Sequence, residues 1–221
     1  MPGPGLRERQ LARLARPGSG PALVVVDVQR DFADPERLTA YGLTDDCRSA
    51  LDLAVTRTRH LVEAARAHEV PVYWVELGSD PARPWRAGNW LRGGDYDAPM
   101  GPDEPCVLGS PGAEWFRLRP ADGETRIVKR GYSGFLGTDL DARLRADGRG
   151  WLTVAGLTSE CCVYATAQDA VQLDWPVLVP RDATAAYDLD VHAAALVQLA
   201  LNVAVLSDAD EIVGLWKRGV R

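Results

Sequence analysis

The stretch Ala22–Val28 (Ala-Leu-Val-Val-Val-Asp-Val) constrains the fold more than any other part of the chain. It is short, almost unbroken in its apolar character and β-branched. Such a run reads as a strand buried on both faces, which requires helices above and below the sheet. A helix over 46–68 follows, with Leu51, Ala54, Val55, Thr58, Leu61, Val62 and Ala65 at helical spacing. Val70–Glu76 is a second buried strand, with Pro71 at its start, where proline is tolerated. Further on the alternation resumes: strand Thr125–Lys129, helix Asp139–Asp147, strand Trp151–Gly156, helix Cys161–Leu173. Strand Pro176–Val179, helix Asp188–Leu201 and strand Asn202–Leu206 come next, and Ser207 is expected to cap a last helix, 208–217. Strands alternating with helices imply right-handed crossovers. The expected architecture is α/β: a three-layer α/β/α, Rossmann-like doubly wound fold with a six-stranded parallel sheet.

A chain of 221 residues suffices for one domain with a substantial core. The expected division is an N-terminal extension over 1–20 and a single domain over 21–221. Leu6, Leu11 and Leu14 of the extension fall on one side of a short helix, and the segment lacks the apolar core of a secretory leader. Between Gly78 and Gly123 periodicity stops. That segment holds seven prolines and three tryptophans, Trp85, Trp90 and Trp115. Excursions this long are functional or disordered, and the tryptophans favour order.

Composition removes several function classes. The formal charge is −6 and no Lys/Arg cluster is present, which suits neither nucleic acid nor an anionic membrane surface. No apolar run approaches the ~18 residues of a membrane helix. The expected partner is a small molecule. Cys47, Cys106, Cys161 and Cys162 form neither a disulfide framework nor a zinc-binding spacing. Free thiols fit a reducing compartment, so a cytoplasmic location is expected. No metal is expected, since no His/Asp cluster has ligand spacing. No nucleotide cofactor is expected either, because a glycine-rich phosphate loop is lacking.

In a parallel sheet of this kind, ligands bind beyond the carboxyl ends of the strands. Asp27 lies near the end of the first strand, Lys129 ends the third, and Cys162 opens the helix after the fourth. A thiol in the first helical turn feels the positive end of the helix dipole, which lowers a cysteine pKa from ~8.5. A nearby Lys129 acts in the same direction. The competing reading is a buried structural cysteine, the commoner fate of a free thiol. Cys161 competes for the same role, but adjacent helical side chains point ~100° apart and only one can face the site. Asp27 interrupts an apolar strand, which is costly unless the carboxylate is paired or used. It is a candidate base for the thiol and later the acid for a leaving amine. Lys129 viewed alone reads first as a solvated strand-end lysine. His60, His68 and His192 read as structural or surface residues, which argues against a Cys–His arrangement.

Three ordered motifs then resemble the isochorismatase-like cysteine hydrolases, a superfamily that includes nicotinamidases, N-carbamoylsarcosine amidase, and biuret and ureidoacrylate hydrolases. They are Val26-Asp27-Val28-Gln29-Arg30-Asp31-Phe32; Lys129-Arg-Gly-Tyr132-Ser133-Gly-Phe135, followed by Thr138, Leu140 and Leu144; and Gly156-Leu-Thr-Ser-Glu160-Cys-Cys162-Val163, followed by Thr166, Asp169 and Ala170. The resemblance implies a catalytic triad of Asp27, Lys129 and Cys162, with Cys161 in a variable slot. It also implies a non-proline cis bond at Leu157–Thr158 and an oxyanion hole from the backbone N–H groups of Thr158 and Cys162. Gln29, Phe32 and Tyr132 are candidates for the pocket wall, with Trp85 and Trp90 as aromatic faces of a lid. A homodimer or homotetramer is implied in the same way.

Ser159 departs from the threonine more usual in this family. Nicotinamidases carry an Asp-x-His metal motif after the second strand; Val75–Asp80 holds no histidine here. True isochorismatases commonly lack the cysteine nucleophile. The implied activity is therefore hydrolysis of a C–N bond in a small amide, ureide or carbamoyl compound through a thioester. Two alternatives stay open: vinyl ether hydrolysis with Asp27 as acid, and a catalytically silent binding module.

Overall fold

The computed structural model describes residues 5–101 and 103–219. The first apolar run forms β1 (Pro21–Val26), and every one of its residues is buried. Its side chains alternate between two cores. Leu23 and Val25 join one, while Ala22, Val24 and Val26 join the other. Full burial of a Val or Leu side chain stabilises by about 1.5–3 kcal/mol, which leaves no room for a polar residue before the strand ends.

Around β1 stand β2 (Val72–Leu77), β3 (Thr125–Lys129), β4 (Trp151–Leu157), β5 (Val177–Pro180), β6 (Thr184–Ala185) and β7 (Val205–Ser207). The pairings are all parallel, in the order β3-β2-β1-β4-β5-β7, with β6 on β4. The sheet therefore has seven strands rather than six; a two-residue strand leaves no periodic trace in a sequence. The helices are α1 (Leu6–Leu14), α2 (Arg30–Ala33), α3 (Asp45–Ala67), α4 (Arg86–Gly93), α5 (Leu140–Ala146), α6 (Cys162–Gln172), α7 (Leu189–Asn202) and α8 (Ala209–Gly219). Leu51, Val55 and Leu61 of α3 and Ile212 and Trp216 of α8 fill the core on one face. Leu140 and Leu144 of α5, Val163 and Ala167 of α6 and Leu199 of α7 fill the other. The result is the expected three-layer α/β/α arrangement. Thr44 caps α3 through the Cys47 N–H, and Asp188 caps α7 through the N–H groups of Asp190 and Val191.

Two local expectations are corrected. Helix α7 runs through Asn202, so the last strand is Val205–Ser207 rather than 202–206. Ser207 does not cap α8. It is the final rung of β7 opposite Pro180, and its hydroxyl donates to Glu211. The Ala209 N–H at the start of α8 is instead accepted by Asp182 Oδ1 at 2.9 Å.

The extension is built onto the body. Arg7 donates to both carboxylate oxygens of Glu211 on α8, at 2.9 and 2.5 Å, and Leu14 is buried. Ser19 Oγ donates to the Leu14 carbonyl and accepts the Trp151 indole N–H. The aperiodic excursion folds as α4 plus loops pinned by the isolated bridges Gln29–Trp115 and Ser79–Val107. Among the described residues no helix is long and apolar enough to cross a membrane.

From β1 the chain moves outward to β2 and β3, then returns to the other side of β1 for β4. Strand order reverses at the β1/β4 boundary. The crevice beyond the carboxyl ends of these two strands is where such sheets bind ligands.

Candidate active site

Two backbone features bring the ends of β1 and β4 together. Asp27, just past β1, sits at φ 49°, the left-handed region that non-glycine residues seldom enter. Its N–H donates to the Val75 carbonyl at 2.9 Å. The strand therefore stops at Val26 rather than Val28, and the carboxylate turns inward. Opposite Val26 is Gly156 at φ 116°; a Cβ there would lie 2.1 Å from the Val26 carbonyl oxygen. Glycine is required for so close an approach.

The Asp27 side chain is fully buried. Lys129 Nζ lies 2.7 Å from its Oδ2, close enough for an ion pair though not aligned as a hydrogen bond, and Oδ1 has no hydrogen-bond partner among the described residues. Lys129 ends β3, two strands away from β1, or about 9–10 Å by inter-strand spacing. A long side chain spans that gap. The ammonium also donates to the Gly131 carbonyl at 2.9 Å and to Cys162 Sγ at 3.4 Å. Cys162 is the first residue of α6 and is 8% exposed. The structure thus brings Asp27, Lys129 and Cys162 into one cluster.

The electrostatics differ from the expectation of a depressed thiol. The hydrogen bond toward Cys161, burial and the Asp27 carboxylate all push the Cys162 pKa well up, with Lys129 opposing. Cys161, accepting that hydrogen bond, is lowered. Burial raises the Asp27 carboxyl above its ordinary value, against the pull of Lys129. Burial works against the Lys129 ammonium, but Asp27 and then Cys162 outweigh it and its pKa is raised. In a low-dielectric pocket the inexpensive states have no net charge: Asp⁻/Lys⁺/thiol, or neutral Asp/Lys⁺/thiolate. Moving one proton from sulfur to Asp27 interconverts them without exchange with solvent.

The turn between β4 and α6 contains a cis peptide at Leu157–Thr158. No backbone carbonyl among the described residues accepts the N–H of Thr158 or of Cys162. The turn is braced on its far side. Ser159 is fully buried, its N–H donates to the Ala185 carbonyl, and its hydroxyl lies 2.9 Å from Nδ1 of His192. Thr158 Oγ1 donates to Glu160 at 2.8 Å. His192, half-buried and with a pKa lowered by burial, holds this turn from behind. His60 pairs with Asp210 and, like His68, stands on or just after α3.

A cleft of about 750 Å³, open to solvent, lies over the cluster and is lined by Asp27, Thr158, Cys161 and Cys162. Phe32, Tyr132 and Trp85 line it. Trp85 meets Tyr132 edge-on, with ring centroids 4.7 Å apart. Gln29 and Trp90 do not line it. Gln29 is buried: its Nε2 donates to the carbonyls of Leu77 and Ala113 and its Oε1 accepts the Leu77 N–H. It joins β2 to the excursion. Trp90 is 61% exposed on α4. Trp85 precedes that helix, so the two rings do not share a face. The cleft wall also holds Arg92, Glu104 and Tyr187, in stretches where the sequence shows no motif, and Arg130, a position inside the second motif that nothing in the motif singles out. Arg92 and Glu104 form an ion pair at 2.7 Å across the excursion. Among the described residues no group of three potential metal ligands occurs.

Residues 21–211 match the family model of the Isochorismatase domain. The chain is 31% identical over 201 residues to ureidoacrylate amidohydrolase RutB of Methylobacterium radiotolerans, covering 84% of this chain and 75% of that protein. It is 31% identical over 189 residues to a nicotinamidase/pyrazinamidase of Mycobacterium tuberculosis, covering 80% and 93%. The crystal structure of N-carbamoylsarcosine amidase from Thermoplasma acidophilum is similar at a TM-score of 0.67 and 28% identity, covering 86% and 97%.

Proposed function

The chain belongs to the isochorismatase family of hydrolases, and we propose that it cleaves the C–N bond of a small amide, ureide or carbamoyl compound with Cys162 as nucleophile. The observation that carries this reading is the buried cluster in which one ammonium meets both a carboxylate and a thiol, at 2.7 and 3.4 Å. Names of relatives that act on ureidoacrylate, nicotinamide and carbamoylsarcosine support a small amide or ureide as substrate.

In the proposed reaction Asp27 accepts the Cys162 proton as sulfur attacks the carbonyl carbon. Lys129 stays charged throughout and offsets whichever neighbour is anionic. The oxyanion is received by the N–H groups of Thr158 and Cys162, fixed donors that cost little reorganisation. Asp27 returns the proton to the departing nitrogen, then takes one from the water that hydrolyses the thioester. Its raised pKa suits both tasks, because a base works best when its pKa approaches the working pH. The aromatic walls Phe32, Trp85 and Tyr132 suit a small planar ligand.

The test is ammonia or amine release from a panel of small amides and ureides, with mass spectrometry of the protein during turnover. Cys162→Ala is expected to lower kcat by about 10⁴-fold or more, and an acyl adduct is expected on Cys162 of the parent. Substantial amide hydrolysis by Cys162→Ala would overturn the assignment. Pyruvate release from a vinyl ether that survives this substitution would favour acid catalysis by Asp27.

A further inference from the structure

Two thiols stand side by side at the bottom of the cleft. Cys162 Sγ lies 4.0 Å from Cys161 Sγ, and both residues line the opening rather than only one, because Cys161 at φ −123° stands before the helix and the helical step does not turn it away. Cys161 is only half-buried, whereas Cys162 lies almost wholly beneath the surface. The Cys162 thiol donates toward the Cys161 sulfur at 4.0 Å, and this hydrogen bond, with the Lys129 ammonium beyond it, holds the Cys161 thiol below its ordinary pKa. An exposed thiolate is the form that attacks peroxides. The other two cysteines are buried elsewhere: Cys106 is fully enclosed with its sulfur 3.8 Å from the Gly112 carbonyl, and Cys47 packs in the α3 core.

We propose that Cys161 and Cys162 form a modification site for hydroperoxides, closing to a disulfide between neighbouring residues that reversibly removes the nucleophile. Cys161 sulfur attacks one peroxide oxygen; the O–O bond breaks, Cys161 becomes a sulfenic acid, and hydroxide leaves and takes up a proton as water. Cys162 sulfur then attacks the Cys161 sulfur. The S–O bond breaks, the S–S bond forms, and the hydroxyl leaves as water with the Cys162 proton. Per peroxide, two thiols are oxidised, one disulfide forms and two waters are released. Closure moves the sulfurs from 4.0 Å to bonding distance, ~2.05 Å, by turning both side chains and shifting the peptide unit that joins them at the end of a turn.

The two Cα atoms of sequence neighbours are about 3.8 Å apart, below the usual ~4.4–6.8 Å range for bridged cysteines. A disulfide held that tightly is easily reduced. It is therefore suited to a reversible block. It also stops oxidation before the sulfinic stage, which thiols do not reverse.

The proposal rests on Cys162 being the nucleophile only for its effect on turnover; formation of the bond is read by mass alone. The full chain is treated with equimolar hydrogen peroxide, remaining thiols are alkylated, and intact and peptide masses are measured. The expected product has lost two hydrogens, carries no alkyl group at Cys161 or Cys162, and regains both sites after dithiothreitol. In parallel, turnover is lost and returns with the reductant. Cys161→Ser is compared with its own untreated rate. It is expected to form no cross-link, and at excess peroxide its Cys162 goes on to the sulfinic stage, an inactivation that dithiothreitol does not restore. Serial oxygen addition to Cys162 of the parent without a cross-link would overturn the proposal, as would labelling of both thiols after peroxide. A cross-link that forms while turnover persists would leave the modification site standing and refute Cys162 as nucleophile.

Discussion

In the proposed reaction the chemistry at residue level depends on how Asp27 and Cys162 share one mobile proton beside the Lys129 ammonium. The Asp27 carboxyl is raised by burial, so its basic form is lost at a higher pH than an ordinary carboxylate. As pH falls through that raised value Asp27 becomes neutral and cannot accept the thiol proton. The acid limb of kcat/KM is therefore expected above the usual carboxylate range. Asp27→Asn is expected to lower kcat by about 10²–10⁴-fold, the span of general acid–base catalysis, and to lack this limb. An unchanged acid limb in that variant would assign the titration to another group. The same pair governs stability. Lys129→Met leaves a buried carboxylate without a counter-charge, at a cost of about 3–5 kcal/mol, because one member of a buried pair has gone. Asp27→Asn/Lys129→Met removes both charges and is expected to recover most of that loss in urea unfolding. Equal destabilisation in the single and double variants would show that packing of the lysine stem, not the charge, is what matters.

At the level of elements, position came from the sequence more readily than direction. Strand ends are visible as apolar runs that stop, so the sequence alone places Asp27, Lys129 and Cys162 on one edge. The direction of each side chain after the strand was not visible. Asp27 enters the left-handed region, which changes the alternation of everything that follows it. Gln29 consequently points away from the cleft and clamps Leu77 and Ala113. A continued strand pattern does not foresee this. Trp90 fails for a related reason: an aperiodic segment gives no helix phase, and α4 turns that ring outward while Trp85 meets Tyr132 edge-on. Gln29 thus carries a structural prediction. Gln29→Ala leaves the Leu77 N–H and two carbonyls unpaired in a part-buried seam. It is expected to destabilise by about 2 kcal/mol, within the usual cost of unmet buried polar groups. Because the seam holds the excursion that bears Trp85, KM should rise more than kcat falls. A fall in kcat with KM unchanged would instead put Gln29 at the reacting atoms.

Over the whole molecule the two ends of the sheet have different tasks. The cleft opens beyond the carboxyl ends of β1, β3 and β4, where Asp27, Lys129 and Cys162 meet. At the amino ends, α1 lies on α8, Ser19 ties Leu14 to Trp151, and Pro21 pairs with Trp151 in the first rung of the β1–β4 ladder. The same ladder runs from that closure to Val26 opposite Gly156, immediately before the turn that presents Cys162. Residues 1–20 read as an extension in the sequence because a short polar helix with three leucines has too little apolar surface to announce what it packs against. Its burial is visible only once α8 is in place. Leu14→Ala is expected to cost about 2 kcal/mol, the loss of most of one buried leucine side chain at a site 8% exposed. That destabilisation should lower Tm while leaving kcat/KM at 25 °C within a factor of two or so, since separated sites with no shared partners act nearly independently. Thermal unfolding and steady-state kinetics on the same preparation decide it. If kcat/KM fell together with Tm, the β1–β4 ladder would be transmitting disorder along its length, and the site would depend on the closure at the opposite end of the sheet.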